Sequence, residues 1–318
     1  MKPQPAGAGP RLAGVLAPLL TPFGLDLEPD GRRLVLHARW LLSHGCAGLA
    51  PFGTTSEANS LSADERARLL DELLAGGVEA ARLMPGTGCC AFPDSVRLTR
   101  HAVARGCAGV LMLPPFYYKA VSDDGLFRSF AEVIERVGDD RLRVYLYHIP
   151  PVAHVGFGPR LIERLLTAYP GTVAGIKDSS GDFAATKVLL DGFAGSGFDV
   201  FVGSERFLLQ NLRHGGVGCI TATGNVNPGA IDRLYREWRT GQAEELQDKV
   251  NALRAVIERA SVIPSLKQIV AHEAGDAAWL TVRPPLAQIT PDQAQALLAG
   301  LAALGFAMPE LDRRAIHE

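Results

Sequence analysis

The chain of 318 residues carries 32 basic and 34 acidic side chains, and 47% of its residues are hydrophobic. Its net charge of −2 excludes the strongly basic surface that a nucleic-acid or polybasic membrane partner requires. The length and composition indicate a globular protein with a large core. No apolar run in the sequence approaches the ~20 residues of a membrane-spanning helix.

Two features of the sequence bear on cellular location. The apolar run Leu12–Leu20 is similar to the core of a signal peptide, but it contains Pro18 and has no small-residue cleavage site behind it. A first buried strand is therefore the better interpretation. The five cysteines are odd in number and show no CxxC spacing, which is typical of buried thiols in a reducing compartment. We expect a cytoplasmic protein.

Short apolar runs recur along the chain, and each is followed by a segment with helical periodicity. The eight runs are Gly14–Leu20, Ala47–Phe52, Leu83–Gly86, Gly109–Leu113, Val144–His148, Val173–Lys177, Val200–Gly203 and Gly218–Thr221. Strands that are apolar throughout and alternate with helices indicate a parallel sheet covered by helices, and eight such units close a barrel. The sequence therefore predicts an α/β protein with a (β/α)8 TIM barrel.

The strand signals stop near residue 240. Helical patterns then cover Ala243–Ala260, Ser265–Ala274 and Pro291–Leu304, with glycine and proline breakers between them. We predict a catalytic barrel over residues 1–240 and a C-terminal helical bundle over residues 241–318.

Lys177 is the most informative single residue. The chain has six lysines, and this one ends an apolar run at the C-terminal end of a predicted barrel strand, where barrel enzymes carry their chemistry. Burial disfavours a charged ammonium, and the neutral amine is a nucleophile toward carbonyls. The alternative is a structural lysine that pairs with Asp178 or Glu205.

Two further signals lie on neighbouring predicted strands. Tyr147 could pass protons to and from a carbinolamine, or it could be a barrel-wall aromatic with a satisfied hydroxyl. The turn Gly53–Thr55 offers backbone N–H groups and two hydroxyls to a carboxylate, although such turns also serve as simple strand-to-helix connections. Each signal is weak alone, but together with Lys177 they indicate an active site.

Other chemistries lack a recognisable motif. The eight histidines show no HxH or HExxH spacing, so we predict no metal site. Residues 86–91 match a GxGxxA pattern, but the acidic residue of a dinucleotide site is missing about 20 positions later. A nucleophilic Cys89 or Cys90 would need a nearby base, which the sequence does not identify.

Five segments in order resemble the dihydrodipicolinate synthase/N-acetylneuraminate lyase family of pyruvate-handling class I aldolases. They are Leu20–Phe23, Gly53–Glu57, Pro115–Tyr118, Tyr147–Pro150 and Gly175–Gly181, within a resemblance that runs from about Leu12 to Leu304. The resemblance implies a (β/α)8 barrel with a C-terminal helical bundle, in agreement with the apolar runs. It also implies a homotetramer or a homodimer.

The resemblance implies roles for five residues. Lys177 matches the lysine that forms a Schiff base with pyruvate or another 2-keto acid, so no separate cofactor is expected. Tyr147 matches the tyrosine that transfers protons to that centre. Thr54 matches the threonine that links it to a second tyrosine, here Tyr118, which tetrameric members supply from a neighbouring subunit. Thr55, with Thr54, matches the turn that holds the pyruvate carboxylate.

Further positions concern the substrate. Ile220 falls where a backbone carbonyl faces the lysine, and Gly203 where the substrate passes close to the chain. The resemblance implies an arginine at position 152 in dihydrodipicolinate synthases, where it holds the carboxylate of aspartate semialdehyde. This chain has Val152 there, and a valine side chain cannot donate a hydrogen bond. Neuraminate lyases place two acids where this chain has Glu205 and Arg206, so Arg206 could bind a second carboxylate or pair with Glu205.

Two other departures from the family pattern affect local structure. Ser56 replaces a glycine, which would alter the turn if that position needs a positive φ. His148 replaces the usual asparagine.

The expected activity is that of a Schiff-base lyase or aldolase acting on pyruvate or a 2-keto-3-deoxy acid. It would form or cleave a C–C bond, or dehydrate a sugar acid, with an aldehyde or sugar acid as the second partner. One alternative is a 4-hydroxy-tetrahydrodipicolinate synthase in which another residue replaces the arginine. The other is a non-catalytic barrel that binds keto acids.

Overall fold

The sheet of the protein is parallel throughout. The computed structural model describes residues 11–309. The strands are β1 (Gly14–Ala17), β2 (Gly48–Leu49), β3 (Val110–Met112), β4 (Val144–His148), β5 (Val173–Asp178), β6 (Asp199–Val202) and β7 (Gly218–Ile220). They pair in the order β2-β1-β7-β6-β5-β4-β3. β1 is shorter than predicted because Pro18 follows it and has no N–H for the ladder.

The two edges of this sheet are joined by residues 83–87. Isolated parallel bridges connect the segment to Leu49 of β2 and Leu111 of β3. The Met84 N–H donates to the Leu49 carbonyl at 2.8 Å, and the Leu111 N–H donates to the Pro85 carbonyl at 2.9 Å. Pro85 has no N–H, so the segment bridges the gap without forming a regular strand. The predicted (β/α)8 barrel is confirmed, with this segment in the place of the third predicted strand.

Helices cover and follow the barrel. Within residues 11–309 they are α1 (Gly31–Ser43), α2 (Ala63–Ala75), α3 (Phe92–Ala104), α4 (Asp123–Val137), α5 (Pro150–Ala153), α6 (Pro159–Ala168), α7 (Phe183–Phe193), α8 (Leu208–Arg213), α9 (Pro228–Glu237), α10 (Ala243–Ile257), α11 (Val262–Ala274) and α12 (Pro291–Ala303). The last three form the expected C-terminal helical part. None of the helices in the described part of the chain is long and apolar enough to span a membrane.

The predicted boundary at residue 240 falls in the connection between α9 and α10. It stays a prediction. Residues 1–10 and 310–318 of the two predicted units lie outside the described range.

The barrel has its own core, separate from the layer between strands and helices. Its inward side chains are those of Leu16, Ala50, Met84, Leu111, Tyr145, Tyr147, Ala174, Phe201 and Ile220. At one end of the barrel the Tyr145 hydroxyl donates to Asp199 at 2.8 Å, and Asp199 pairs with Arg11. The Tyr145 hydroxyl and Asp199 therefore have partners within the protein at this end, and strand-end side chains occupy the opposite end.

A register shift in β5 determines which of its side chains face inward. Val144 of β4 pairs with Val173, whereas Tyr145 pairs with Gly175, so β5 carries one additional residue at this bulge. A Cβ atom on Gly175 would lie 2.8 Å from the Tyr145 ring and 2.4 Å from the Asp199 carbonyl. The glycine is therefore required for the strands to approach each other here.

Arg283 connects the segment after α11 to the barrel. Its guanidinium pairs with Glu65, a residue of α2 that also forms a capping box with Ser62. It also donates to the carbonyls of Leu27 and Ser60 at 2.8 and 2.7 Å. The hydrogen bond from Arg283 lowers the pKa of Glu65 to about 2.

We expect protonation of Glu65 to lower the free energy of unfolding as the pH falls. Its folded pKa lies below the ordinary value of 4.5, so the ionised carboxylate stabilises the fold above pH 4.5, and this contribution is lost as the pH falls toward 2. Glu65→Gln should lower the melting temperature at pH 7 and flatten the melting-temperature profile between pH 4.5 and 2, measured by circular dichroism.

The matched control is Glu132→Gln, which removes an exposed carboxylate that pairs with Arg136. Exposed pairs of this kind contribute ~0–1 kcal/mol, so the control should follow the unmodified protein. An equal flattening in both variants would contradict the prediction.

Candidate active site

Strands β4 and β5 bring Tyr147 and Lys177 together. The two residues are direct partners in the parallel ladder, so their side chains leave the sheet on the same face. That face is the barrel interior, because Tyr147 belongs to the inner core. The Lys177 Nζ lies 4.3 Å from the centre of the Tyr147 ring, and both residues are less than 5% exposed. The register therefore meets the condition on which the sequence prediction for Tyr147 depended.

The carboxylates that could pair with Lys177 have other partners. Asp178 is the next residue along β5, so its side chain leaves the opposite face, where it accepts from the Ser180 N–H at 2.9 Å. Glu205 forms an ion pair with Arg254 of α10. Within residues 11–309 Lys177 forms no salt bridge, and its ammonium faces an aromatic ring. The alternative of a structural pair with Asp178 or Glu205 does not occur.

The turn after β2 brings Thr54 to Tyr147. Thr54 Oγ1 and the Tyr147 hydroxyl lie 3.1 Å apart, within hydrogen-bond distance. The turn is closed by the Ser56 N–H, which donates to the Gly53 carbonyl, and by the Glu57 N–H, which donates to the Thr54 carbonyl, each at 3.1 Å. Glu57 has the positive φ of this turn, 57°, and Ser56 does not. A serine in place of glycine therefore fits without strain.

Other predicted residues lie around this centre. Thr55 is buried beside Thr54, and Ile220 is part of the barrel core. A Cβ atom on Gly203 would lie 1.9 Å from the Ser179 hydroxyl oxygen, so a side chain at this position would displace the loop after β5. Their contacts with substrate stay predictions.

Tyr118 is not brought to Tyr147 within one chain. It is 73% exposed and packs edge-to-face against Tyr117, which is 74% exposed. Lys119 beside them donates to the Ala153 carbonyl at 2.9 Å, which joins this loop to α5. The aromatic pair therefore projects outward from the loop after β3.

Glu205 lies in a buried network beneath the rim of the barrel. Its carboxylate accepts hydrogen bonds from the hydroxyls of Thr221 and Thr223 and pairs with Arg254. The residue is 1% exposed. Because both carboxylate oxygens have partners inside the protein, the geometry favours a structural role for Glu205. The expected contact with substrate stays a prediction.

Arg206 points away from Glu205. Its guanidinium pairs with Glu258, which also pairs with Arg254. The expected Arg206–Glu205 pair does not form. The Arg206 side chain is 43% exposed, and its binding of a second carboxylate stays a prediction.

His148 and Cys89 have contacts within the protein, whereas Cys90 is exposed. The His148 ring accepts the Phe157 N–H on Nδ1 at 3.0 Å, and burial lowers its pKa. Burial raises the pKa of Cys89, whose sulfur contacts Arg66 at 3.5 Å. In the described range, no group of three or more His, Cys, Asp or Glu side chains is arranged to hold a metal ion.

Two buried cations of the C-terminal helices are not predicted from the sequence. Arg254 of α10 pairs with Glu205, and Lys267 of α11 pairs with Glu57 in the turn after β2. The available signal is composition, because Lys267 is a rare lysine among 32 basic residues and lies in an apolar helical pattern. Helical periodicity identifies its buried face but not its partner.

Removal of the Glu205 carboxylate should destabilise the fold. Glu205→Ala removes one partner of the mostly buried Arg254 and leaves the hydroxyls of Thr221 and Thr223 without this acceptor. We therefore expect the free energy of unfolding to fall by about 3 kcal/mol. Urea unfolding followed by circular dichroism measures this change. Arg206→Ala, which removes an exposed pair, is the control and should cost less than about 1 kcal/mol. Equal stabilities of the two variants would contradict the structural role.

Comparisons with known proteins cover nearly the whole chain. A family model described as the dihydrodipicolinate synthetase family matches residues 11–304. A protein of Chloroflexus aurantiacus named as an uncharacterized DapA-like lyase is 32% identical over 288 residues, which are 90% of this chain and 95% of that protein.

Solved structures show the same fold. Dihydrodipicolinate synthase from Agrobacterium tumefaciens superposes with a TM-score of 0.85 at 32% identity, over 92% of this chain and 99% of that one. YagE from E. coli, described as a prophage protein of the dihydrodipicolinic acid synthase family in complex with pyruvate, has a TM-score of 0.85 at 24% identity. That match covers 92% of this chain and 98% of YagE.

Proposed function

The chain belongs to the dihydrodipicolinate synthetase family of class I aldolase-type lyases, and we propose that it acts on a 2-keto acid through a Schiff base on Lys177. The observation that carries the proposal is a buried strand-end lysine that forms no salt bridge with the described residues 11–309. Its ammonium lies over the ring of Tyr147, whose hydroxyl is linked to Thr54. Among residues 11–309 no carboxylate pairs with Lys177, and a neutral amine at this position can add to a carbonyl carbon.

The reaction needs no external cofactor. The Lys177 amine adds to the keto carbon and gives a carbinolamine, whose hydroxyl is protonated and leaves as water, so that an imine remains. The protonated imine at C2 accepts the electron pair released when the C3–C4 bond of the keto acid breaks. The C4 hydroxyl loses its proton in this step, which gives an enamine and an aldehyde. Protonation of the enamine and hydrolysis then release the keto acid and restore the amine. Condensation follows the same steps in reverse.

Tyr147 is the proposed proton carrier. Its ring lies 4.3 Å from the Lys177 Nζ, and its hydroxyl is 3.1 Å from Thr54 Oγ1. In this proposal the Tyr147 hydroxyl gives a proton to the carbinolamine and recovers one from the Thr54 hydroxyl. The backbone N–H groups and hydroxyls of Thr54 and Thr55 are the proposed donors to the substrate carboxylate.

We further propose a cytoplasmic homotetramer or homodimer in which Tyr118 completes the proton relay of a neighbouring subunit. Two large aromatic side chains exposed together, Tyr117 and Tyr118, support a contact surface at this loop. The relay would then run from Tyr147 through Thr54 to the partner's tyrosine hydroxyl.

The choice of second substrate is inferred from the residue at position 152. We favour an aldehyde or a 2-keto-3-deoxy sugar acid over aspartate semialdehyde, because Val152 on α5 supplies no cation where the resembled synthases have an arginine. Synthase activity is the second candidate, and it is supported by the 32% identity to the Agrobacterium tumefaciens enzyme. A non-catalytic keto-acid-binding barrel is the third.

Borohydride trapping tests the Schiff base. Treatment with pyruvate and borohydride should add one reduced pyruvyl group per chain, and peptide mapping should locate it on Lys177. Lys177→Ala should abolish the adduct without loss of the fold. Lys187→Ala, which removes an exposed lysine paired with Asp191, should label as the unmodified protein does.

Undiminished labelling of Lys177→Ala would refute the proposal. Labelling without turnover across a panel of aldehydes and sugar acids would instead favour the non-catalytic barrel. Intact-protein mass spectrometry and circular dichroism on the same samples separate lost chemistry from lost folding.

The acceptor preference is tested at Val152. We expect Val152→Arg to raise kcat/KM for aspartate semialdehyde by at least about tenfold, because a hydrogen bond to a charged group contributes ~1.5–3 kcal/mol. Val188→Arg, at a similarly exposed position on α7, is the control and should have no effect. Efficient synthase activity of the unmodified protein, equal to that with the best neutral aldehyde, would instead support the second candidate.

A further inference from the structure

An ion pair without solvent exposure joins α11 to the turn after β2. The Lys267 ammonium contacts the Glu57 carboxylate, and both side chains are 0% exposed. Lys267 also donates to the Thr281 carbonyl at 2.8 Å, and its Nζ lies 4.5 Å from the centre of the Phe23 ring. Burial lowers the pKa of Lys267 to about 8, despite the nearby carboxylate.

Stability alone gives little reason for such a pair. Removing two charges from water costs several kcal/mol per ion, and well-packed apolar residues of the same volume are often equally stabilising. A buried pair does impose a defined geometry on the two segments that carry it, because a displaced charge would lose its partner in an apolar environment. The segment fixed here is the turn that contains Thr54 and Thr55.

Glu57 transmits this constraint to the turn. One of its carboxylate oxygens contacts Lys267 and the other accepts the Arg283 N–H at 3.0 Å. Its φ of 57° lies in the left-handed region, which costs a non-glycine residue ~1 kcal/mol or more and is maintained by surrounding contacts. The Glu57 N–H donates to the Thr54 carbonyl at 3.1 Å. A displaced Glu57 therefore displaces Thr54.

We propose that Lys267 is a positioning residue of the active site, which acts through Glu57 to hold the Thr54–Thr55 turn in place for the keto-acid carboxylate and for Tyr147. The inference rests on the proposed function. The connection is short, from the Lys267 ammonium to the Glu57 carboxylate, through the Glu57 N–H to the Thr54 carbonyl, and from Thr54 Oγ1 to the Tyr147 hydroxyl.

The test compares variants in the pyruvate concentration that gives half-maximal borohydride trapping. Lys267→Met removes the charge and keeps most of the side-chain volume. We expect it to raise the half-saturating concentration by about tenfold, equivalent to about 1.4 kcal/mol. Lys249→Met removes an exposed lysine that pairs with Glu245 in the adjacent helix α10, and this control should leave the value unchanged.

The double variant Glu57→Gln/Lys267→Met separates positioning from folding. It removes both charges, so no unpaired ion remains in the interior, and its melting temperature should exceed that of Lys267→Met. We expect its half-saturating pyruvate concentration to remain raised, because the turn has still lost its anchor. If recovery of stability also restores the half-saturating concentration, Lys267 is only structural and the inference is overturned.

Hydrogen exchange provides a readout that does not depend on Schiff-base chemistry. In the full chain without keto acid, the N–H groups of Ser56, Glu57 and Ala58, which close the turn, should exchange faster in both Lys267 variants than in Lys249→Met. Unchanged exchange there would overturn the inference even if pyruvate is trapped. A third outcome separates the two proposals. If the unmodified protein traps no pyruvate but the Lys267 variants still exchange faster at these N–H groups, the proposed function is refuted and the positioning contact remains supported.

Discussion

The site depends on the register between β4 and β5. Up to Val144 the two strands pair with one offset, and the bulge then advances β5 by one residue, so that Tyr147 meets Lys177. Without the bulge Tyr147 would pair with Ile176, and Lys177 would leave the barrel on the side of the helices, because successive residues of a strand alternate faces. Gly175 permits this bulge, since a larger residue would collide with the Tyr145 ring. A single backbone irregularity therefore decides whether the amine faces the interior.

The C-terminal helices take part in the same geometry. The turn after β2 and the segment after β6 each carry a buried carboxylate, and each carboxylate pairs with a cation from α10 or α11. The barrel rim is thus held from outside at two places, by Arg254 through Glu205 and by Lys267 through Glu57. A helical extension that only covered the barrel would need an apolar face and no buried charges.

The sequence predicts the repeating architecture because each strand and each helix produces a local pattern of apolar residues. Apolar runs and helical patterns identify the strands, the barrel and α10 to α12, and the rarity of lysine points to Lys177. What it does not predict depends on contacts between distant residues. Glu57 and Lys267 pair although they are separated by more than half of the chain. Glu205 is recognisable in the sequence as an acid after a strand, but the two hydroxyls and Arg254 that surround it are not. Periodicity reports burial, whereas a role in the site depends on the partner.

The choice of lysine at positions 177 and 267, both buried, follows from chemistry. Among the described lysines, Lys177 and Lys267 are 4% and 0% exposed, in a chain that otherwise relies on arginine for its positive charges. An imine requires a single amine that can lose its proton, and a guanidinium stays protonated in proteins. At Lys267 the compact ammonium fits between one carboxylate, one carbonyl and an aromatic face, whereas a guanidinium would bring five N–H donors into the same space. The ammonium also has few donors to satisfy in an interior where each unsatisfied donor is costly. The same small, rotatable side chain thus serves as the proposed nucleophile in the barrel, as a neutral amine, and as a charged anchor outside it.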